Sequence, residues 1–490
     1  MTIGENAMTT TPLKPVRKEL TFGFAVFILT VVVAIIASGM MFFDLKLQML
    51  MLCCWVVCAG FGWYLGFSYA ELEAGAYEFI ARAMGAVLIM MSVGALIGAW
   101  ISAGTVAVMI YIGLKIITPE FFLATSFILC SMTSVFTGTS YGTIGTVGLA
   151  LMGIGAGLGF DPGVTAATVI SGAFLGDKMS PLSDTTNMAA AVNDVPLLTH
   201  VRHMANTLTP AFIITLTIYL FMGFQHDAGT GDASILNQLL DDITANFRLG
   251  FIPAIPMLLV FYLLLRQTNP ILAIISGSVL GVVVAVGYAG VDLTASFNAM
   301  WSGYEKTFDN PLLMKLMNRG GVTSMLGVSA LVIFACGLGG MLRCLGVIDT
   351  ILEPVSRHAK SAFSLVLSTI VIGFSTVLLT ASSYFSLLMT GTIMTPLFRR
   401  QGYRPENCSR VTEDVGTLAT PLVPWSSNAL FSMGMLGIGF TDYAPYCFLM
   451  FLAPCVSLVY SIFNINMTRL SDEEKLADKQ AQGQPEQVSA

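Results

Sequence analysis

Charge is what this sequence has least of. Of its 490 residues only 11% are Asp, Glu, Lys or Arg, less than half the share usual in soluble domains. A chain of this length folding in water would need a charged coat over its cores, so a soluble enzyme is excluded. Basic residues are outnumbered, 23 Lys and Arg against 29 Asp and Glu. No basic stripe exists, and nucleic acid is excluded as a partner. Histidine is scarce: His200, His203, His226 and His358 are all there is. Nine cysteines (Cys53, Cys54, Cys58, Cys130, Cys336, Cys344, Cys408, Cys447, Cys455) contain no C-x-x-C pair and have no His at ligand spacing. Most lie in apolar runs and read as small apolar residues, so no metal centre is expected from them. The four histidines do not cluster with the cysteines, and none is expected inside a polar core. The period-two alternation of an outer-membrane barrel is also missing.

What is present is hydrophobicity. Apolar residues make up 55% of the chain and the mean hydropathy is +0.78, which implies an all-α polytopic membrane protein. Leu20 to Phe43 carries no charge over 24 residues; as a helix it would span about 36 Å, enough to cross the hydrocarbon with some tilt. It lacks a small-residue cleavage pattern after it and reads as a retained helix. Leu47–Ala70 follows. Ala83–Leu114, with Gly104 inside it, and Phe121–Phe160 are each too long for one span. With the later runs the count is roughly 11 to 13 crossings or half-crossings. Lys14, Arg17 and Lys18 before the first run, and Arg399, Arg400 and Arg404 later, are expected on the cytoplasmic side, which puts the N-terminus there. The Gln-rich polar tail is expected to be disordered.

The chain also repeats itself. Thr137-Gly-Thr-Ser-Tyr141 is matched by Thr380-Ala-Ser-Ser-Tyr384, each between apolar runs. Downstream, Pro181-Leu182 leads to Asn187, and Pro421-Leu422 leads to Asn428. Tyr141 to Pro181 is 40 residues and Tyr384 to Pro421 is 37, so motif order and spacing are both kept. The stretch Gly98–Thr105 matches Gly337–Cys344 more faintly. The division that follows is 1–19 N-terminal segment, 20–69 leading helices, 70–225 first repeat, 226–294 connecting helices, 295–465 second repeat and 466–490 tail. Paired repeats of this kind are characteristic of secondary transporters, often with inverted topology.

The densest polar stretch in an apolar setting is Gly176-Asp-Lys-Met-Ser-Pro-Leu-Ser-Asp-Thr-Thr-Asn187. A helix would put Asp177, Ser180, Pro181 and Asp184 on one face, and Pro181 would free a carbonyl beside it. Carboxylates, hydroxyls, an amide and freed carbonyls make a hard oxygen cage for a small cation, Na+ or a proton. Broken helices commonly supply such a cage at the membrane midplane. Intramembrane carboxylates are costly and mark function. Lys178 reads either as a charge standing in for a cation or as a partner for a nearby carboxylate. The second half supplies Glu413, Asp414, Thr417, Thr420, Pro421, Pro424, Ser426, Ser427 and Asn428, with Asp414, Thr417 and Pro421 on one helical face. Glu413 and Asp414 read either as part of the cation or proton site or as a charged pair at a helix N-terminus. Hydroxyls at Thr139 and Ser140, and at Ser382 and Ser383, sit at breaks that could meet these segments. The candidate binding set is therefore Thr139, Ser140, Asp177, Ser180, Asp184, Thr185, Thr186, Asn187, Ser382, Ser383, Glu413, Asp414, Thr417, Ser426, Ser427 and Asn428. Na+ is assigned to Asp177, Asp184 and Asn187.

The string from Gly176 to Asn187, together with Glu413-Asp-Val-Gly-Thr and Pro421-Leu-Val-Pro-Trp, resembles the NhaC family of Na+/H+ antiporters, and the likeness runs through roughly residues 15 to 465. The resemblance implies two inverted repeats, each with a re-entrant hairpin and a broken helix, with hairpin tips near Ser140 and Ser383 and breaks near Pro181 and Pro421. It further implies a mobile transport domain beside a scaffold, an elevator-like motion, and Na+/H+ exchange in a bacterial cytoplasmic membrane. In the second motif Pro424-Trp-Ser-Ser-Asn428 departs from a Pro-Trp-Asn-like continuation. Chains resembling this family include malate/lactate exchangers and amino-acid carriers, so a coupled carrier of a small organic acid or amino acid is the alternative. Lys178, as the lone cation in the polar cores, speaks against di-acids. Expected partners are the lipid bilayer, Na+ and H+, with a homodimer left open and no cofactor. Gly138-Thr-Ser-Tyr-Gly142 matches Gly-x-Ser-x-Gly by letter, but it lacks the preceding strand and the His base of a hydrolase, so no enzyme is expected.

Overall fold

Inside a bilayer no water satisfies a peptide group, so each uncharged run must close its own hydrogen bonds, and a helix does this within one segment. The computed structural model describes residues 17–43, 45–226, 232–266, 268–357, 361–472 and 474. Among them there is no strand, only an isolated antiparallel bridge between Tyr403 and Arg469. Among the described residues eight helices are long and apolar enough to cross a membrane, and Phe440–Tyr446 with Phe448–Phe463, bent by 44°, forms a ninth candidate. The difference from 11 to 13 lies in shorter pieces: Thr105–Ile116, Ile252–Leu265 and the halves of hairpins and broken helices.

Both over-long runs resolve into two arms. In the first, the helix Tyr69–Ser102 turns at Gly104, φ +79°, into Thr105–Ile116. In the second, Pro119–Thr137 turns at Gly138 and Thr139 into a helix that starts at Ser140 and runs through a π-helical turn, Ile144–Gly148, to Gly157. The second half has the same device. Ala362–Thr380 turns at Ala381 and Ser382 into Ser383–Arg400. Gly138 and Ala381 both take left-handed backbone, φ +70° and +56°. Glycine does so freely; Ala381 is held there against its Cβ.

Tyr69–Ser102 and Val322–Cys344 pack against each other in opposite directions. Gly75 faces Gly340, whose carbonyl oxygen would lie 3.1 Å from an added Cβ, whereas Gly94 accepts from the Gly321 N–H at 2.7 Å. Small residues permit this approach, and in lipid such packing replaces the hydrophobic drive. The same stripe meets the helix Leu293–Ser302. There a Cβ on Gly98 would lie 1.9 Å from the Ala299 carbonyl oxygen. Backbone cannot retreat cheaply, so Gly98→Ala is expected to destabilise by about 1–3 kcal/mol. Thermal melting of detergent-purified protein reads this directly; an unchanged midpoint would show the contact to be looser.

The N-terminal segment lies outside the described residues up to 16, with Lys14 in it. His358, Glu473 and 475–490, the greater part of the expected disordered tail, also lie outside them. The described start of the tail is bonded to the fold: Leu470 donates to Gly402 at 2.9 Å and the Asn407 amide donates to the Thr468 carbonyl at 2.8 Å.

Candidate functional site

Pro181 has no N–H and disfavours helix at the residue before it. Pro162–Met179 accordingly ends ahead of it, and a new helix runs from Asp184 to Val192. This corrects the single helical face expected for Asp177, Ser180, Pro181 and Asp184: the two carboxylates come from opposite sides of a break. Asp177 is buried, 6% exposed. One of its oxygens accepts from Ser140 Oγ at 2.6 Å and the other from Ser183 Oγ at 2.7 Å. Ser183 Oγ also lies 2.9 Å from Thr185 Oγ1. The hairpin tip docks on the break, where Ser180 Oγ donates to the Val135 carbonyl at 2.7 Å. A Cβ at Gly138 would meet the Leu182 backbone at 2.9 Å. Thr186 Oγ1 donates to the freed carbonyls of Asp177 and Lys178 at 3.1 and 3.0 Å.

The second half repeats this arrangement with other side chains. Pro405–Glu413 passes through a π-helical turn, Asp414–Leu418, and a short turn at Thr420–Leu422, before Ser427–Leu436 begins. The Ser427 N–H donates to the Ala381 carbonyl at 2.9 Å, tying tip to break. Ser426 Oγ caps the new helix through the Ala429 N–H, 3.1 Å. The Asn428 amide donates to Ser383 Oγ at 2.9 Å and to Thr420 Oγ1. Two tyrosines then cross between the halves. The Tyr141 hydroxyl donates to Asn428 Oδ1 at 2.7 Å, and the Tyr384 hydroxyl donates to Asp184. Each tip thus holds its own break with a Ser and the opposite break with the following Tyr.

These segments enclose a cavity of about 470 Å³. Thr139, Ser140, Asp177, Asp184, Thr185, Ser382, Ser383, Thr417 and Asn428 line it, joined by Tyr141, Tyr384, Arg82, Thr137 and Asn269. The N-termini of the half-helices Asp184–Val192 and Ser427–Leu436 open on it, adding the positive ends of two dipoles. Ser180, Thr186, Ser426 and Ser427 serve the breaks themselves. Asn187, assigned to Na+, is exposed, and its amide donates to the carbonyls of Pro181 at 3.0 Å and Ser183 at 2.7 Å. It holds the break and is not on the cavity wall. Tyr141 and Tyr384 were missed as site residues although they stand in both copies of the repeated motif. Their recurrence one residue after each tip serine was the available signal.

Of the two readings of Glu413 and Asp414, the charged pair at a helix N-terminus is corrected by the structure. They lie at the end of a helix, not at an N-terminus, and the π-helical turn sends Asp414 away from the face of Thr417. Asp414 pairs with Lys178, Nζ to Oδ1 2.5 Å, with both side chains fully or almost fully buried. Ser457 Oγ donates to the other Asp414 oxygen at 2.7 Å. Lys178 is therefore a carboxylate's partner. It is not the only buried cation, since Arg410 is 0% exposed. Glu413 accepts from Thr417 Oγ1 at 2.9 Å and faces His200, Oε2 to Nε2 3.7 Å. A histidine thus does sit in a polar core. The sequence hid it because the partners are more than 200 residues apart. Among the described residues no group of three His, Cys, Asp or Glu is arranged to hold a metal ion.

Fold and site together define a polytopic membrane protein of the secondary-transporter class: two halves with hairpins and broken helices around a carboxylate cavity. The chain belongs to the Na+/H+ antiporter family, whose model matches residues 2–186 and 172–465. It is 33% identical to the Na+/H+ antiporter NhaC of Alkalihalophilus pseudofirmus, over 94% of this chain and 99% of that one. It is 36% identical to the malate-2H+/Na+-lactate antiporter of Bacillus subtilis, over 91% and 96%. It is 28% identical to the arginine/ornithine antiporter ArcD of Halobacterium salinarum, over 94% and 95%.

Proposed function

We propose that the protein exchanges Na+ for H+ across a bacterial cytoplasmic membrane. The observation that carries this is the pair Asp177 and Asp184, one buried and one exposed to the same cavity at the junction of two hairpins and two broken helices. Two carboxylates sharing one site cannot both stay ionised without a compensating cation, so Na+ and protons compete for them. Hydroxyls of Ser140 and Ser183 turn their hydrogens toward Asp177; on cation binding they can rotate to present oxygen instead. Na+ leaves when protons take its place, and that replacement is the exchange. Binding drives movement only through unequal affinity in the two facing states. The opposite directions of Tyr69–Ser102 and Val322–Cys344 support an inverted relation between the halves, and with it an elevator-like movement of hairpins and broken helices beside the long-helix pair. Arg17, Lys18, Arg399, Arg400 and Arg404 at helix ends support a cytoplasmic N-terminus.

The test uses purified protein in liposomes with an internal pH dye and an imposed Na+ gradient, without organic substrate. A Na+-driven pH change is expected. Its absence would sink the exchange reading. A second reading draws on the cavity itself. About 470 Å³ is far more than a bare cation fills, and Arg82, whose guanidinium is paired with Glu78, stands on its wall. Malate, lactate, arginine or ornithine added to the same vesicles would then be required for any proton movement.

A further inference from the structure

We propose that Glu413 and His200 form a second proton-holding pair behind the central cavity, whose proton keeps an uncompensated negative charge away from Asp177. The inference deepens the Na+/H+ exchange reading and rests on it. Both side chains are 0% exposed. His200 Nδ1 lies 2.8 Å from Ser409 Oγ, and the Ser409 hydroxyl donates to the Glu406 carbonyl at 3.2 Å. With the hydroxyl hydrogen used there, the hydrogen on this side belongs to Nδ1, an assignment made from the network. A neutral His200 then presents a bare Nε2 lone pair to Glu413 Oε2, 3.7 Å away. Neither atom has a hydrogen-bond partner. Two lone pairs facing each other in a dry interior are unfavourable, and one added proton resolves the clash as imidazolium and carboxylate, or as imidazole and carboxyl.

The pair is connected to the site. Glu413 Oε1 takes its hydrogen bond from Thr417, which lines the cavity containing Asp177. The ionisable groups around it come from several elements. The helix of Glu413 brings Arg410, Glu406 and Asp414, and the helix of His200 brings His203. The first broken helix brings Asp177 and Lys178, and Phe448–Phe463 brings Tyr460. Asp414 is neutralised by Lys178. Arg410 reaches only the Asn466 carbonyl and the Met467 sulfur, at 3.4 and 3.6 Å. Of the helices alongside, Asp184–Val192 brings Asp184 at the cavity, and Ser383–Arg400 brings Arg399 paired with Asp194 at 3.2 Å. Ala362–Thr380 brings no ionisable side chain.

The charge logic fixes the sign of the test. In His200→Gln the new amide donates to Glu413, which stays ionised without the compensating proton. An extra negative charge near Asp177 favours keeping a proton there, so the exchange profile is expected to move to higher pH by about one unit. Adding Glu413→Gln removes that charge, and the double variant is expected to return toward the wild-type profile. No shift in the single variant, or a shift that persists in the double one, would overturn the pair. Should these variants fail to fold, wild-type protein labelled with 15N-histidine gives a direct reading, with His200 assigned by replacing the other three histidines. Its Nε2 should carry or share a proton; a bare-nitrogen resonance across the working pH range would overturn the proposal. Exchange present with Nε2 bare removes the pair alone. A protonated Nε2 without Na+-driven proton movement leaves the pair standing and removes the exchange reading.

Discussion

Asp177→Asn is expected to lower Na+-driven proton movement at least about a hundredfold, because it deletes the charge for which Na+ and H+ compete. The substitution keeps the volume and most of the polar contacts. Asn can accept from Ser140 through its oxygen and donate to Ser183 through its amide, while the Ser183 hydroxyl turns to Thr185. The fold should therefore survive, with a melting midpoint close to that of the wild type. Ser140→Ala should cost far less, since it removes one hydrogen bond and leaves the charge. Dye-reported exchange in proteoliposomes with matched protein incorporation checks both. An Asp177→Asn protein that still exchanges would move the site to Asp184 or out of the cavity.

The physical basis of this result was legible in the sequence to an uneven degree. Membrane class and helical build follow from the scarcity of charge and the length of the uncharged runs, which leave few alternatives. Turn positions were also legible. Gly138 with Ser140 punctuates a run too long for one crossing, Ser382 with Ser383 separates two apolar runs, and Pro181 cannot sit inside a helix without breaking it. Side-chain direction was not. A face drawn from Asp177 to Asp184 assumed the helix continued through Pro181. The break instead rotates Asp184 to a position where Tyr384 reaches it and turns Asn187 onto the backbone. The π-helical turn at Asp414–Leu418 likewise inserts an offset that no periodicity of 3.6 anticipates. Long-range partners are the remaining blind spot. Lys178 and Asp414, or His200 and Glu413, become neighbours only when two broken helices and Leu197–Phe224 come together.

The Lys178 and Asp414 pair carries the largest expected effect on stability. Each charge is tolerable in this interior only because the other is 2.5 Å away. Ser457 satisfies the remaining carboxylate oxygen at 2.7 Å. Asp414→Leu leaves an ammonium buried without a counter-charge, and Lys178→Met leaves a carboxylate in the same condition. Breaking a buried pair from one side costs about 3–5 kcal/mol, whereas replacing both partners with apolar residues of similar volume is often neutral. Each single variant should lose most of its monodisperse yield after detergent extraction, and Lys178→Met with Asp414→Leu should recover it. The double variant also separates two roles for Asp414. If it folds and still exchanges Na+ for H+, the pair is a structural tie between the two broken helices. If it folds and is inactive while Asp177→Asn is active, Asp414 belongs to the ion path and Asp177 does not. The first outcome is expected: Asp414 is absent from the cavity wall and its two oxygens are already engaged.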